Sequence, residues 1–508
     1  MTRKYYLYIL AISCLSFVFT LYLIQFKNLN LLVNYINDSV GHLTTARHIV
    51  DDHKIETSFI YLITLNGDKI THLYMPGYHV VLAFFYWLFG VNLFSTLLPN
   101  FIAYCGTSLL VFYVANKRYG EKVGFIAAAI FALIPCNIIL SMMAMTEMTL
   151  TFVVFLSFTI FYMSPLRVQY FLMPVLIVVC YLFRQTTILL MAPFVLQMAY
   201  HEPRFDIKKF LLIILSMAAT LYLVQLTNTW QMHEGLKGLD FRMLLSGGMQ
   251  YDTAYQQIST DSIISLLITN VLRNFHTLWL MFWPEFQTDG LNWYYLKVFV
   301  LFLCAIIVAS IKAYKRITTD FFPVATALMS FGLFVICITL NTGHPSVIVR
   351  IVMYTMPFLA IVVAKIICDL KYEHYYTTIL VSGFVVLIAL LIKSGMVIEK
   401  TLSAYRSVSE KRIEFFTAIQ PSTYGILVAP HDISMEWVLK NYPLKYTFVP
   451  GDVPTLELIA KKYKVTTVVL RTNDLKKLSH KALQAIGLVF TEQKKLDDEY
   501  YYIYRAIT

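Results

Sequence analysis

Charged side chains at the ends of long apolar segments are the first candidates for chemistry in this sequence. Asp38 follows the first apolar segment, Glu147 opens another, Arg184 separates two short ones and Arg350 begins a later one. Ionisable groups at a bilayer boundary are costly to keep there and tend to be functional. Carboxylates suit proton transfer and arginines suit anion binding, so these four residues are candidates for those two tasks.

Each of the four residues also has an ordinary structural explanation. The dipole of a helix stabilises a carboxylate at its N-terminus, which would account for Glu147. Asp38 stands before a helix expected near Ser39 and suits an N-cap. Arg184 and Arg350 can extend toward lipid phosphates while their alkyl chains stay in the bilayer. The residue types alone leave both explanations open.

Polar residues of a second group flank the same segments. His72, Tyr78 and His79 lie around the apolar segment that follows Pro76, and His344 stands shortly before Arg350. A solvated or hydrogen-bonded histidine is more common than a functional one, so these residues are secondary candidates.

The elements that must position these residues are membrane helices. Of the 508 residues, 58% are hydrophobic and only 14% are charged, against about a quarter charged in soluble domains. The apolar residues fall in blocks of about 20, the length that crosses a bilayer. The chain is therefore predicted to be an all-α polytopic membrane protein with about eleven spans. The predicted spans are 5–26, 94–116, 122–138, 147–163, 170–183, 186–200, 210–227, 292–312, 321–340, 348–368 and 376–395.

Basic residues in alternate loops predict the topology. Five loops carry lysines or arginines and are expected on the cytoplasmic side, with the N-terminus: 117–122, 164–169, 201–209, 312–320 and 369–375. That pattern holds only if segment 77–92 is a juxtamembrane or re-entrant helix. The long loops 27–76 and 228–291 then lie outside, on the same side as the candidate residues. The expected location is the cell (inner or plasma) membrane, with the first helix uncleaved.

The C-terminal region differs from the rest. β-rich runs at 426–428, 466–470 and 500–504 alternate with helical stretches predicted at 434–440 and 454–463, which is typical of a small α/β domain. The predicted organisation is a membrane domain, 1–395, and an extracytoplasmic α/β domain, 396–508.

Charge and cysteine usage exclude other classes. The net charge of +11 is dispersed, which favours topology and anionic lipid as its cause and argues against a nucleic-acid partner. All seven cysteines lie within or beside apolar blocks and none has CxxC spacing, so neither a disulfide framework nor a metal site is predicted. No cofactor is certain, and a divalent cation is left possible.

The order of several short motifs resembles the GT-C class of glycosyltransferases, and within it the family of protein mannosyltransferases and lipid A aminoarabinose transferases. The resemblance covers about residues 1–370. Two positions depart from it: Ser39 stands where a second acid is common, and Met75 stands where a lysine often holds phosphate. The matching motifs are Asn37-Asp38-Ser39 with Ala46, Pro76-Gly77-Tyr78 with Phe89-Gly90, Arg118 to Lys122, Pro135, Thr146-Glu147, Arg184-Gln185-Thr186, and Arg350 with Tyr354 and Pro357.

The resemblance implies an inverting glycosyltransferase with a polyprenyl-phosphate-sugar donor, acting on a glycan, lipid or protein acceptor at the extracytoplasmic face. In that scheme Asp38 is the base or orients the acceptor, and Glu147 positions a substrate. Arg350 and Arg184 bind the donor phosphate. The remaining implied roles are phosphate contacts from His79 and His72 in place of the missing lysine, and a substrate pocket lined by Tyr78, His344 and Tyr354. The alternatives are a polysaccharide polymerase or ligase, and a lipid or solute transporter.

Overall fold

The computed structural model describes residues 2–24, 37–53, 75–200, 207–233, 353–369 and 465–506 with short gaps, and short stretches between 381 and 457. It also describes an antiparallel β-hairpin formed by β1 (Thr64–Asn66) and β2 (Lys69–Thr71). The predicted spans 292–312 and 321–340 lie outside the described residues, as do His72, His344 and Arg350.

Helices form most of the described chain. They are α1 (Thr2–Ile24), α2 (Asn37–Asp52), α3 (Pro76–Phe89), α4 (Leu93–Tyr119), α5 (Glu121–Leu133), α6 (Pro135–Ser141), α7 (Thr146–Met163), α8 (Leu166–Tyr181), α9 (Met191–Tyr200), α10 (Ile207–His233) and α11 (Met356–Asp369). Short 3₁₀ helices at Gln185–Leu190 and Met353–Thr355 precede α9 and α11.

Four of the described helices, α1, α4, α7 and α10, are long and apolar enough to cross a membrane. They coincide with the predicted spans 5–26, 94–116, 147–163 and 210–227. The predicted polytopic helical class is thereby confirmed for the part of the chain that the structure describes.

The predicted span 122–138 is two helices rather than one. Helices α5 and α6 meet at a bend of 60° and are together long and apolar enough to form one broken span or a re-entrant loop. The bend lies at Ile134, whose ψ of 117° is extended. Pro135 disfavours a helical conformation in the residue before it, which explains the break. The sequence prediction had not allowed for this effect.

Segment 77–92 forms helix α3, which is 14 residues long. At about 1.5 Å per residue such a helix is roughly 21 Å long, too short for a perpendicular crossing. Pro76 begins the helix, where its fixed φ is favourable, and Gly90 ends it with a φ of 74°. The length agrees with the non-spanning helix that the charge pattern predicted.

Close helix contacts build the bundle core. Helix α4 packs against α5 and α7, and α11 packs against α5. Small residues allow this approach, as they do in other membrane bundles. Gly106 of α4 faces the ring of Phe152 in α7, where a Cβ would come within 2.7 Å of the ring. The alanine-rich face of α5 is fully buried.

The C-terminal region contains a five-stranded mixed sheet in the order β4-β3-β5-β7-β6. Its strands are β3 (Ile426–Ala429), β4 (Lys445–Phe448), β5 (Val465–Arg471), β6 (Leu488–Leu496) and β7 (Glu499–Ala506). Strand β3 pairs in parallel with both β4 and β5. Strand β7 pairs antiparallel with β5, and β6 pairs antiparallel with β7. The three predicted strand runs are confirmed. The predicted helix at 434–440 lies outside the described residues.

Candidate functional site

The candidate site lies at the end of the bundle where α3, α4 and α7 begin and α8 ends. Two contacts bring these helix ends together. The N–H of Gly77 in α3 donates to the carbonyl of Leu182 after α8 at 2.8 Å. Asn100 of α4 donates to the carbonyl of Met145, which precedes α7, also at 2.8 Å. The turns at Gly120 and Pro165, next to the basic residues of predicted cytoplasmic loops, join the opposite ends of these helices.

A buried ion pair joins Glu147 and Arg184 at this end. The Nη1 of Arg184 donates to Oε1 of Glu147 at 3.1 Å, and the exposed fractions of the two side chains are 22% and 0%. Glu147 lies in the first turn of α7, where the helix dipole favours a carboxylate. The arginine fork has five N–H donors in one plane, so the guanidinium that holds Glu147 is also able to bind a second anion.

Asn100 organises the turn that leads into Glu147. Its fully buried amide nitrogen lies 2.7 Å from the carbonyl oxygen of Met143, 2.8 Å from that of Met145 and 3.1 Å from the hydroxyl of Tyr78. The hydroxyl of Thr149, one turn into α7, donates to the Asn100 amide oxygen at 2.6 Å. Sequence analysis did not identify Asn100. The sequence feature that could have identified it is an amide side chain beside Pro99 within an otherwise apolar stretch of α4.

Two buried histidines meet beside this turn. Nδ1 of His42 in α2 lies 2.8 Å from Nε2 of His79 in α3. Nε2 of His42 lies 3.3 Å from the hydroxyl of Thr146, the first residue of α7. The ring of Tyr78 stands edge-on to that of His42, with centroids 5.1 Å apart. His42 therefore links three helices, although the sequence analysis had not singled it out.

His79 and Tyr78 are placed deeper than the sequence analysis expected. Both are completely buried beneath α2. A direct phosphate contact from His79 would need the His42 contact to open, so in this conformation His79 supports α2 instead. Tyr78 contacts Asn100 and His42 and forms part of the packing beneath the site.

Asp38 lies within the first turn of α2, which begins at Asn37 rather than at Ser39. The structure does not describe its side chain. The next residue does have a described contact: the Ser39 hydroxyl donates to the sulfur of Met145 at 3.2 Å. The backbone of Asp38 therefore lies beside the segment that leads into Glu147.

Tyr354 connects the later part of the chain to the same region. It is fully buried in the 3₁₀ helix Met353–Thr355. Its hydroxyl donates to the carbonyl of Thr186, two residues after Arg184, at 3.5 Å. Arg350 stands four residues before Tyr354 in the sequence and lies outside the described residues. Among the residues that the structure describes, no group of three or more histidine, cysteine or acidic side chains is arranged to hold a metal ion.

Comparisons with known proteins find similarity in structure only. No protein-family model matches the chain, and no curated protein sequence matches it. The structure of ArnT from Cupriavidus metallidurans bound to undecaprenyl phosphate is 12% identical, with a TM-score of 0.46 over 99% of this chain and 98% of that one. The oligosaccharyltransferase AglB from Archaeoglobus fulgidus, in complex with an inhibitory peptide and a dolichol-phosphate, is 11% identical, with a TM-score of 0.46 over 99% of this chain and 74% of that one.

Similarity at this level assigns neither a substrate nor residue roles, because one fold supports many activities.

Proposed function

We propose that this chain is a membrane glycosyltransferase that moves a sugar from a polyprenyl-phosphate donor to an acceptor at the extracytoplasmic face, with inversion at the anomeric carbon. The observation that carries the proposal is the buried Glu147–Arg184 pair at the bundle end where α2, which contains Asp38, packs. The order of the sequence motifs, which includes these residues, supports the same activity.

The proposed reaction assigns a task to each charged group. The acceptor oxygen or nitrogen attacks the anomeric carbon, and its proton passes to the Asp38 carboxylate. The bond between the anomeric carbon and the phosphate oxygen breaks, and its electron pair leaves with the polyprenyl phosphate. The negative charge on the phosphate increases, from about −1 in the donor diester to about −2 in the released monoester. The fixed cations Arg184 and Arg350 stabilise the additional negative charge.

The position of the site fits a lipid donor. A polyprenyl tail needs an apolar groove, and helix α3 exposes Val80, Phe84 and Trp87 on the face away from Tyr78 and His79. We place the tail along α3, with its phosphate near Arg184. The basic turns at the opposite bundle end favour a cytoplasmic location for that end and an extracytoplasmic location for the site. The C-terminal sheet would then lie outside, as a separate domain of residues 396–508.

Transfer of label from a lipid donor tests the proposal. Purified protein is incubated with polyprenyl phosphates carrying different radiolabelled sugars and with membrane extracts as acceptor. With at least one donor, the labelled sugar should be lost from the polyprenyl phosphate. Asp38→Asn should reduce this transfer by about 10²- to 10⁴-fold, the range for loss of a general base, while membrane insertion is unchanged.

Stable labelled lipid with every donor would overturn the proposal. Movement of intact labelled lipid between the two leaflets of a vesicle, with no sugar released, would indicate a transporter instead.

A further inference from the structure

The His42–His79 contact limits how many protons the two rings can bind. With Nδ1 of one ring 2.8 Å from Nε2 of the other, a single hydrogen fits between the nitrogens. One ring must donate and the other must accept. The contact therefore tolerates a neutral pair or one imidazolium. It does not tolerate two, because two N–H groups and two positive charges would then face each other inside a buried site.

The same contact positions the helix that contains Asp38. His42 lies one helical turn after Asp38 in α2, so the two residues share a helix face. His42 contacts His79 in α3 and Thr146 at the start of α7. Both histidines are at least 98% buried, so the contact is part of the packing between α2 and the bundle.

We propose that the His42–His79 contact is a proton-sensitive latch that holds α2, and with it Asp38, against the start of α7. His42 is then a positioning residue that acts through the helix rather than by touching substrate. The closed latch holds at most one extra proton and the open one holds two, so lowering the pH favours opening. Imidazole is the side chain that ordinarily changes its charge between pH 5 and pH 8, so this is the range in which the opening is to be measured.

Other ionisable groups lie near the latch. Tyr78 on α3 stands edge-on to His42, and the pair of Glu147 on α7 and Arg184 after α8 follows Thr146, which His42 contacts. Asp38 stands one helical turn before His42 in the sequence of α2. All of these groups remain in place when one of the two imidazoles is replaced. A change that removes the titration of one ring while keeping the hydrogen bond therefore separates the latch from these groups.

Hydrogen exchange of α2 tests the latch without an activity assay. The full-length protein in lipid nanodiscs is exchanged between pH 5 and pH 7.5, with correction for intrinsic rates. Protection of the peptide that spans Asn37–Asp52 should fall by about tenfold for each pH unit below the pH at which the open form binds its second proton. Protection that is constant over this range would overturn the proposal.

Two substitutions at His79 and one control sharpen the test. In His79→Gln the amide can bond to either form of the His42 ring but does not titrate, so α2 should stay protected at pH 5. In His79→Leu protection should be low at every pH. His48→Asn replaces another buried histidine of α2 and should keep the wild-type pH profile. Loss of protection at pH 5 in His79→Gln equal to that of wild type would assign the effect to another group.

The catalytic consequence rests on the function proposed above. With a donor that supports transfer, kcat should fall at acid pH in wild type and His48→Asn but not in His79→Gln. If no donor supports transfer and the exchange results are as expected, the latch stands and only the proposed function fails.

Discussion

Glu147 and Arg184 are 37 residues apart in the chain, yet they form a buried ion pair 3.1 Å long at one end of the bundle. The pair connects the first turn of α7 to the residue that precedes the 3₁₀ helix after α8. Removing one partner of a buried pair leaves a charge with no compensation, which is generally costlier than removing both.

The ion pair should therefore show strong coupling in a double-mutant cycle. Glu147→Gln and Arg184→Gln should each destabilise the protein by up to about 3–5 kcal/mol, toward the lower end because Arg184 is partly exposed. The double variant should be less destabilised than the sum of the two. Thermal unfolding in detergent, followed by size-exclusion chromatography, measures this. Additive effects would show that the two side chains do not interact energetically.

Asn100 should be required for the rate of transfer more than for donor binding. Asn100→Leu leaves the Met143 and Met145 carbonyls without their donor, at about 1–3 kcal/mol for each buried unsatisfied group. The turn before Glu147 should shift and lower kcat. Thr159→Val, which removes a hydroxyl bonded only within α7, is the matched control. Steady-state kinetics with a lipid donor would contradict this role if Asn100→Leu changed KM alone.

The close approach of α3 to the Arg184 segment depends on Gly77. A Cβ at this position would lie 2.8 Å from the Leu182 carbonyl oxygen and 2.8 Å from the Phe183 ring. Gly77→Ala should destabilise the protein by about 1–3 kcal/mol, the usual range for overpacking. Gly383→Ala has open space around it and should be neutral or slightly stabilising. A Gly77→Ala protein as stable as wild type would show that α3 is free to move away.

Arg350 should act chiefly on the donor. As a fixed cation for the donor phosphate, it contributes to binding before the reaction, so Arg350→Ala should raise the dissociation constant for the lipid donor by about tenfold or more. Arg350→Lys should restore only part of this affinity, because an ammonium lacks the planar fork. Equilibrium binding of a polyprenyl phosphodiester measures the effect, and unchanged affinity in Arg350→Ala would remove Arg350 from the phosphate site.

Much of the helical framework could be predicted because hydropathy is a local property of the chain. A run of about 20 apolar residues has few alternatives to a membrane helix, whatever surrounds it. The charge pattern indicated a non-spanning helix after Pro76, and the structure gives α3 a length that agrees with it. The prediction failed locally at Pro135, where a backbone restriction outweighs hydropathy and divides one apolar segment into two helices.

The partners of the polar residues were decided only by the tertiary structure. Residue types in the sequence identified Glu147, Arg184 and His79 as candidates, but not that Arg184 would hold Glu147 or that His79 would lie under His42. Such contacts depend on how each helix is rotated and how far it slides along its neighbours, and close packing of distant segments sets both. Asn100 and His42 have ordinary sequence surroundings, and their importance comes from the three helix ends that meet at each of them.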